Sequence, residues 1–314
     1  MGEHNGKVQV LVSTYNGEKY LAEQLNSLLE QTYPHTFITI RDDGSSDSTV
    51  SVIKEYVSEF PDKIEAIYGE NVGVIASFFE LLSCYMHSDA DYICFCDQDD
   101  VWMTDKLERG VSSLNGDLEN TPMMYLTATQ MVNDSLQLLN TWPPIPQRGP
   151  SFFNALVENI AVGATIMLNR SAVKHITENL PNTESIVMHD WWVYLFVSAY
   201  GKVIYDDKPS IYYRQHENNV VGGQQGFLDK WKTKWGNYKK HSVQKILWRQ
   251  AKEFERCWGE QLISEMKIEL RQFLLLNRGI YRRTRYALGT RLYRQSSLDN
   301  IVFRLMMIKG DILK

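Results

Sequence analysis

The chain reads as an α/β protein built on a mostly parallel sheet, and three observations carry that reading. Short β-rich runs alternate with helical patterns across the first hundred residues. The intervening helices run to about ten residues or more, enough for right-handed crossovers between parallel strands. After Gly222-Gly223 the pattern becomes helical to the end of the sequence, so a helical extension follows the sheet.

Val8 to Val12 forms the first strand and stops at Ser13-Thr14-Tyr15-Asn16-Gly17. A helix follows, with Leu21, Leu25, Leu28 and Leu29 on one face. Phe37 to Ile40 is the second strand, closed by the polar run from Arg41 to Asp47. Ser46 or Asp47 caps the next helix, which carries Val50, Ile53 and Val57. Ile64 to Tyr68 is the third strand and Val74 to Met86 the third helix. Tyr92 to Cys96 is the fourth strand, ending in Asp97-Gln98-Asp99-Asp100. Ligands of parallel sheets bind outside the C-terminal strand ends. The clusters at Thr14–Gly17, Asp42–Asp47 and Asp97–Asp100 therefore converge on one edge.

Beyond residue 120 the pattern loosens. Met123 to Val132 and Val162 to Leu168 read as strands, and Trp142 to Pro146 as a rigid loop serving as lid or wall. Met188 to Tyr200 is a helix, followed by short strands at Lys202 to Tyr205 and Ile211 to Arg214. The expected organisation is a catalytic domain over 1–222, with halves 1–100 and 101–222, and a basic helical region over 223–314.

The 314 residues are 44% hydrophobic and 23% charged, ordinary for a globular chain. The N-terminal MGEHNGKVQV lacks a signal peptide's apolar stretch. No apolar run approaches the roughly 18–20 residues that span a bilayer. Cys94 and Cys96 lie two apart on a strand and read as small buried hydrophobes; no second pair follows at zinc spacing. A disulfide framework is not expected, which fits a reducing, cytoplasmic compartment. The net charge of −5 hides an asymmetry. Residues 201–314 carry 23 Lys and Arg against 11 Asp and Glu; residues 1–200 carry 10 against 27.

Asp97, Asp99 and Asp100 crowd three carboxylates into four residues, which repel one another unless a cation neutralises them. Oxygen ligands suit Mg²⁺ or Mn²⁺. A solvated acidic loop, with Asp100 as a helix cap, is the alternative; position after a buried strand favours the metal. Asp42 and Asp43 can accept from a base N–H or a ribose hydroxyl, or simply form a turn. No G-x-G-x-x-G follows the first strand and no phosphate-binding P-loop pattern occurs, so dinucleotide and P-loop readings lose support. Asp190, in His189-Asp190-Trp191-Trp192, is either an N-terminal helix residue or a general base beside aromatic sugar platforms. His216 ends a strand and suits a phosphate, a metal or a structural role.

These clusters, in this order, resemble the family 2 inverting glycosyltransferases with the GT-A fold, a Rossmann-like mixed sheet flanked by helices. The stretches that carry the resemblance are VLVSTYNGEKYLAEQLNSLLEQTY, ITIRDDGSSDST, NVGV, YICFCDQDDVW, GATIMLNR, MHDWW and YYRQHENNVVG, spread over residues 8–222. The wording of CDQDDVW, HDWW and YRQHENN is most similar to bacterial rhamnosyltransferases of streptococcal rhamnose cell-wall and capsular polysaccharides. The resemblance implies a nucleoside-diphosphate sugar donor, dTDP-β-L-rhamnose if the subfamily holds, or a UDP-hexose otherwise. It implies that Thr14, Tyr15, Asn16 and Glu18 line the nucleotide pocket, that Asp42 recognises the base, and that Asp97 lies near the ribose. Asp99 becomes the metal ligand for Mn²⁺ or Mg²⁺, Asp190 the catalytic base, and His216 a diphosphate- or metal-side residue. Trp191 and Trp192 would face the acceptor, a lipid-linked saccharide. Ala76-Ser77 and Tyr125-Leu126-Thr127 depart from the wording usual in such relatives.

A nucleotidyltransferase would favour a Gly-rich basic loop after the first strand, where this chain has Ser13-Thr14-Tyr15-Asn16. A non-catalytic sugar-binding protein would not need the clustered carboxylates. The tail, residues 272–314, carries nine Lys and Arg against two acidic residues, interleaved with aromatics and aliphatics. It fits a helix lying on an anionic membrane surface, at the inner face of the cell membrane. The alternatives are a helical bundle packed on the catalytic domain, or a homodimer interface involving Trp231 and Trp235. No nucleic-acid-reading module is evident.

Overall fold

The computed structural model describes residues 6–85, 88–115, 120–215, 243–277 and 279–310. The chain forms two compact units. One comprises residues up to 145, 161–178 and 201–214; the other comprises 146–160, 179–200 and 215 onward.

The first unit holds both sheets. Strands β1 (Val8–Thr14), β2 (Thr36–Asp42), β3 (Ile64–Tyr68) and β4 (Tyr92–Cys96) alternate with helices α1 (Leu21–Leu29), α2 (Thr49–Glu59) and α3 (Val74–Cys84). Then come β5 (Val101–Trp102), α4 (Lys106–Ser113), β6 (Met123–Thr127), β7 (Thr129–Val132), β8 (Leu138–Trp142), β9 (Met167–Asn169), α6 (Arg170–Glu178), β10 (Lys202–Asp206) and β11 (Ile211–Arg214). A four-residue α5 (Phe152–Ala155) belongs to the second unit. The larger sheet has the order β10-β6-β9-β4-β1-β2-β3. All its neighbours pair in parallel except β9, which is antiparallel to both β4 and β6. The smaller sheet runs β5-β11-β7-β8.

Burial explains the strand composition. Residues Val8, Val10 and Val12 are fully buried, as is every residue of β4, because helices cover both faces of a parallel sheet. Register sets the functional edge. Thr14 lies opposite Asp42, and Val12 opposite Cys96, so the loops after β1, β2 and β4 emerge side by side.

The structure corrects three local expectations. Met123 to Val132 is two strands in different sheets, broken at buried Ala128. The Val162 to Leu168 run begins as a 3₁₀ turn, Gly163–Thr165, and only Met167–Asn169 pairs. Helix α2 takes Ser48 at its N-cap position, without a side-chain cap; Asp47 instead accepts from the Thr49 N–H at 3.0 Å.

The second unit is helical, with α7 (His189–Tyr200), α8 (Val243–Trp258), α9 (Ser264–Leu274), α10 (Ile280–Gly289) and α11 (Ser297–Lys309). The sequence draws a boundary at 222, whereas packing groups 146–160 and 179–200 with the C-terminal helices. The reason is an aromatic core. Trp258 has ring centroids 4.6 Å from Phe196, 5.2 Å from Trp192 and 5.2 Å from Phe254. Two buried side chains of α8 complete the join: Gln250 accepts from the Val187 N–H at 2.9 Å, and Glu253 from the Asn182 N–H at 2.7 Å. Burying aromatic rings in offset and edge-on contact is strongly stabilising.

Gly201 turns the chain into β10, and a Cβ there would lie 1.8 Å from the Pro122 carbonyl oxygen. That oxygen accepts from the Lys202 N–H at 2.9 Å beside the β10–β6 ladder. Gly201→Ala should therefore cost about 2–3 kcal/mol, as overpacking against backbone does. Urea unfolding at equilibrium measures it; an unchanged midpoint would show that the strand entry yields without cost.

Candidate active site

The site edge is assembled by loops that hydrogen-bond to one another. Gln98, the one uncharged residue of the acidic run, accepts from the Thr14 hydroxyl at 2.6 Å and the Tyr15 N–H at 2.8 Å. Its amide nitrogen donates to the Tyr15 carbonyl at 3.2 Å. Gly17 permits this approach, since a Cβ there would stand 2.5 Å from the Gln98 Oε1. Asn16 is held at φ 49°, a conformation asparagine tolerates. Its side-chain oxygen accepts from the Ser46 N–H at 2.8 Å, and its own N–H donates to the Ser45 hydroxyl. Glu18 accepts from the Ser48 N–H at 2.9 Å. Thr14 is buried, whereas Tyr15 is 47% exposed and offers its ring to solvent.

The two carboxylates ending β2 have different work. Asp43 faces the buried Arg41 guanidinium and accepts from the Val72 and Gly73 N–H groups, both at 2.9 Å. It shapes the loop before α3. Asp42 is equally buried; its Oδ2 accepts from the Ser45 N–H at 3.0 Å, but its Oδ1 has no hydrogen-bond partner among the described residues. A buried oxygen without a donor is costly, and a ligand N–H or hydroxyl would satisfy it. Ser77, one of the residues whose wording departs from similar proteins, is buried against Ser13 at 2.6 Å and Arg41 at 3.2 Å.

Asp97 and Asp99 are half-exposed, while Asp100 is 1% exposed. Burial, followed by the charges of Asp99 and Asp97, pushes the Asp100 carboxyl well above the usual carboxylate range. Asp100 does not cap a helix. Its Oδ1 accepts from the Arg214 N–H at 3.1 Å, and its Oδ2 has no partner among the described residues. A cation suits this donor set: hard oxygens, mutual repulsion, and a buried oxygen left over. Among the described residues, no three His, Cys, Asp or Glu side chains are already gathered as a metal cluster. Half-exposed Asp99 is the carboxylate that would hold such a cation.

Arg214 organises this loop. Its guanidinium is almost wholly buried and donates to the Asp99 carbonyl at 2.9 Å, to the Asp134 carbonyl at 2.6 Å and to the Glu23 carboxylate of α1. Tyr20 lies under it at 4.7 Å. Strand pairing delivers it there, because β11 runs antiparallel to β5, which leaves the acidic loop directly.

In the helical unit, Asp190 lies in the first turn of α7 and is half-buried. Its Oδ1 accepts from the Asn159 amide at 3.1 Å and from the Trp191 N–H at 2.5 Å. The Trp191 indole donates to the Ala155 carbonyl at 2.6 Å. Trp192 is a correction: it is fully buried in the aromatic core, so its ring offers no face to a sugar. His216 lies outside the described residues, as do Trp231 and Trp235. Sequence reasoning missed Gln98, Arg214 and Asn159. The first two stand inside the stretches YICFCDQDDVW and YYRQHENNVVG. Asn159 has no local signal.

Residues 9–177 match the model of Glycosyl transferase family 2. The chain belongs to that family. It is 31% identical to a dTDP-rhamnosyl transferase, RfbG, of Shigella flexneri, over 70% of this chain and 77% of the relative. Two solved structures share its fold. The Staphylococcus aureus TarS fragment in complex with UDP-GlcNAc has a TM-score of 0.57 at 17% identity, over 98% of this chain and 88% of TarS 1–349. A mannosyltransferase from Pyrobaculum calidifontis, in complex with GDP-Man and Mn²⁺, has a TM-score of 0.51 at 13% identity, over 99% and 86%. The architecture is thus the GT-A fold, with a helical C-terminal region.

Two variants test the geometry. Arg214→Gln strands two carbonyls and breaks a partly buried ion pair, so it should cost about 2–4 kcal/mol in urea unfolding. A loss within error would mean that the loop holds itself. His189 is fully buried, and burial lowers its pKa from 6.5 to about 3. Folding then opposes its protonation: there is no effect above pH 6.5, and stability falls as the pH drops from there towards 3. Between pH 7 and pH 5 this group should remove about 2 kcal/mol. His189→Gln should flatten that segment of the profile relative to wild type, and parallel profiles would refute the assignment.

Proposed function

We propose that this glycosyltransferase moves L-rhamnose from dTDP-β-L-rhamnose to a lipid-linked saccharide. Transfer inverts the anomeric centre, and the site of action is the cytoplasmic face of a membrane, in bacterial cell-wall or capsular polysaccharide synthesis. The observation that carries the donor half is the β2 end. Buried Asp42 keeps one oxygen without a donor, beside loops that expose Tyr15 and a pair of half-exposed carboxylates. Similarity to the Shigella dTDP-rhamnosyl transferase supports rhamnose over other sugars.

Each residue then has a task. Asp42 accepts from the base. Tyr15 offers its exposed ring to the nucleotide, while Thr14, Asn16, Glu18 and Gln98 fix the loop that presents it. Asp97 lies at the ribose, Asp99 would hold Mn²⁺ or Mg²⁺, and His216 would serve the diphosphate or the metal side. A divalent cation bound at Asp99 would offset the negative charge that grows on the departing diphosphate. Inversion requires the acceptor to attack from the side opposite the leaving group. Asp190 accepts the proton of that hydroxyl, with Asn159 and the Trp191 N–H fixing the orientation of its carboxylate. Trp191 flanks the acceptor.

The test is a donor screen with Mn²⁺ or Mg²⁺ and a synthetic lipid-linked acceptor, following nucleoside diphosphate release and product mass. dTDP-rhamnose should be the productive donor. Asp190→Asn should lower turnover by about a thousandfold or more, within the general-base range, and leave donor affinity within a few-fold. Turnover with a UDP-hexose alone would replace the sugar; unimpaired Asp190→Asn would displace the base.

A further inference from the structure

A surface helix normally turns its apolar stripe towards the core. Helix α11 has two. Phe303 and Met307 point inward and are buried. On the opposite side Leu298, Ile301, Val302 and Leu305 recur at i, i+3, i+4 and i+7, between 40% and 70% exposed, and Lys309 continues the line. Helix α10 is tied to α11 by Arg304, which donates to the carbonyls of Ala287 and Thr290. Its outer face mixes apolar and cationic groups. Tyr281 is 80% exposed and Leu288 76%, with exposed Arg285 between them on the same face and Arg282 beside it. Neither arginine has an acidic partner among the described residues.

We propose that the outer faces of α10 and α11 are a docking surface for an anionic lipid bilayer. The α11 stripe enters the headgroup boundary, and Arg282 and Arg285 contact lipid phosphates. The inference deepens the membrane location proposed above and is independent of which sugar is transferred. Charge decides between a bilayer and a second copy of the chain. Residues 279–310 carry seven Lys and Arg and one acidic residue. Two such faces brought together repel, whereas an anionic surface complements both the charge and the apolar stripe. An aromatic beside arginines is also the composition of a membrane interface. Among the described residues no helix is long and apolar enough to cross a bilayer, so this contact is an interfacial one.

Flotation of the full chain with phosphatidylcholine vesicles, and with vesicles containing phosphatidylglycerol, tests it. The wild type should float only with the anionic vesicles. Arg282→Gln with Arg285→Gln should weaken binding roughly thirtyfold at low salt, from about 1 kcal/mol per charge. Ile301→Asp with Leu305→Asp should abolish flotation. Both pairs are exposed, and circular dichroism confirms the fold. Nucleoside diphosphate release with a soluble acceptor should be unchanged in both variants, which separates this surface from the transfer reaction. If no protein, wild type included, turns over any donor, the transferase reading fails while flotation still decides the surface. Absence of wild-type flotation overturns the proposal. So does undiminished flotation of the aspartate pair, or a wild-type dimer in sedimentation velocity that the aspartate pair dissociates.

Discussion

The loop that carries three carboxylates at one strand end is held in place by Arg214. Where its donors go matters. They meet the carbonyls of Asp99 and Asp134 and the carboxylate of Glu23, while its backbone N–H takes Asp100. The loop's shape is therefore fixed through the main chain. The side chains of Asp97 and Asp99 stay half-exposed. A lysine, with a point charge and no planar fork, could not serve three separated acceptors in the same way.

The same economy governs the loops after β1 and β2. Polar residues that look like ligand contacts spend their side chains on one another: Thr14 on Gln98, Asn16 on Ser46, Glu18 on Ser48, Asp43 on Val72 and Gly73. Preorganisation of this kind lowers the entropy lost on binding, because the groups are ordered before the donor arrives. Asp42 stands out against this background because one of its oxygens is left over.

Much of this was legible in the sequence. Periodicity located β1 to β4 and the helices between them, and the rule of strand C-termini brought the three polar clusters to one edge. What stayed illegible depended on tertiary contacts. Nothing local tells Trp191 from Trp192, yet the helical face turns Trp192 into an aromatic core completed by Phe254 and Trp258, more than sixty residues later. Met123 to Val132 has the composition of a single strand, but two sheets compete for it and the chain breaks at Ala128. Asn159 reaches Asp190 only because the segment before α7 folds back beside it. In each case sequence spacing sets the residue's own element, and the partner's element decides its role.

The apolar residues of the tail show the limit of composition most sharply. As a string, Ile301 to Ile308 is hydrophobic nearly throughout and supports both a core helix and a membrane contact. Packing resolves the ambiguity by angle. Phe303 and Met307 bury against the helical unit, and the remaining stripe faces outward beside a helix that has four exposed or half-exposed basic or aromatic side chains and no acidic one. Helix formation in water does not require the outward stripe, since the inward pair already anchors α11. Exposed aliphatics at helical spacing raise the free energy of the dissolved protein and lower it at a boundary between water and hydrocarbon. The charge around them selects the anionic kind of boundary. One short helix thereby satisfies a core with one face and leaves the other for an interface, and the acidic sheet unit need contribute nothing to that contact.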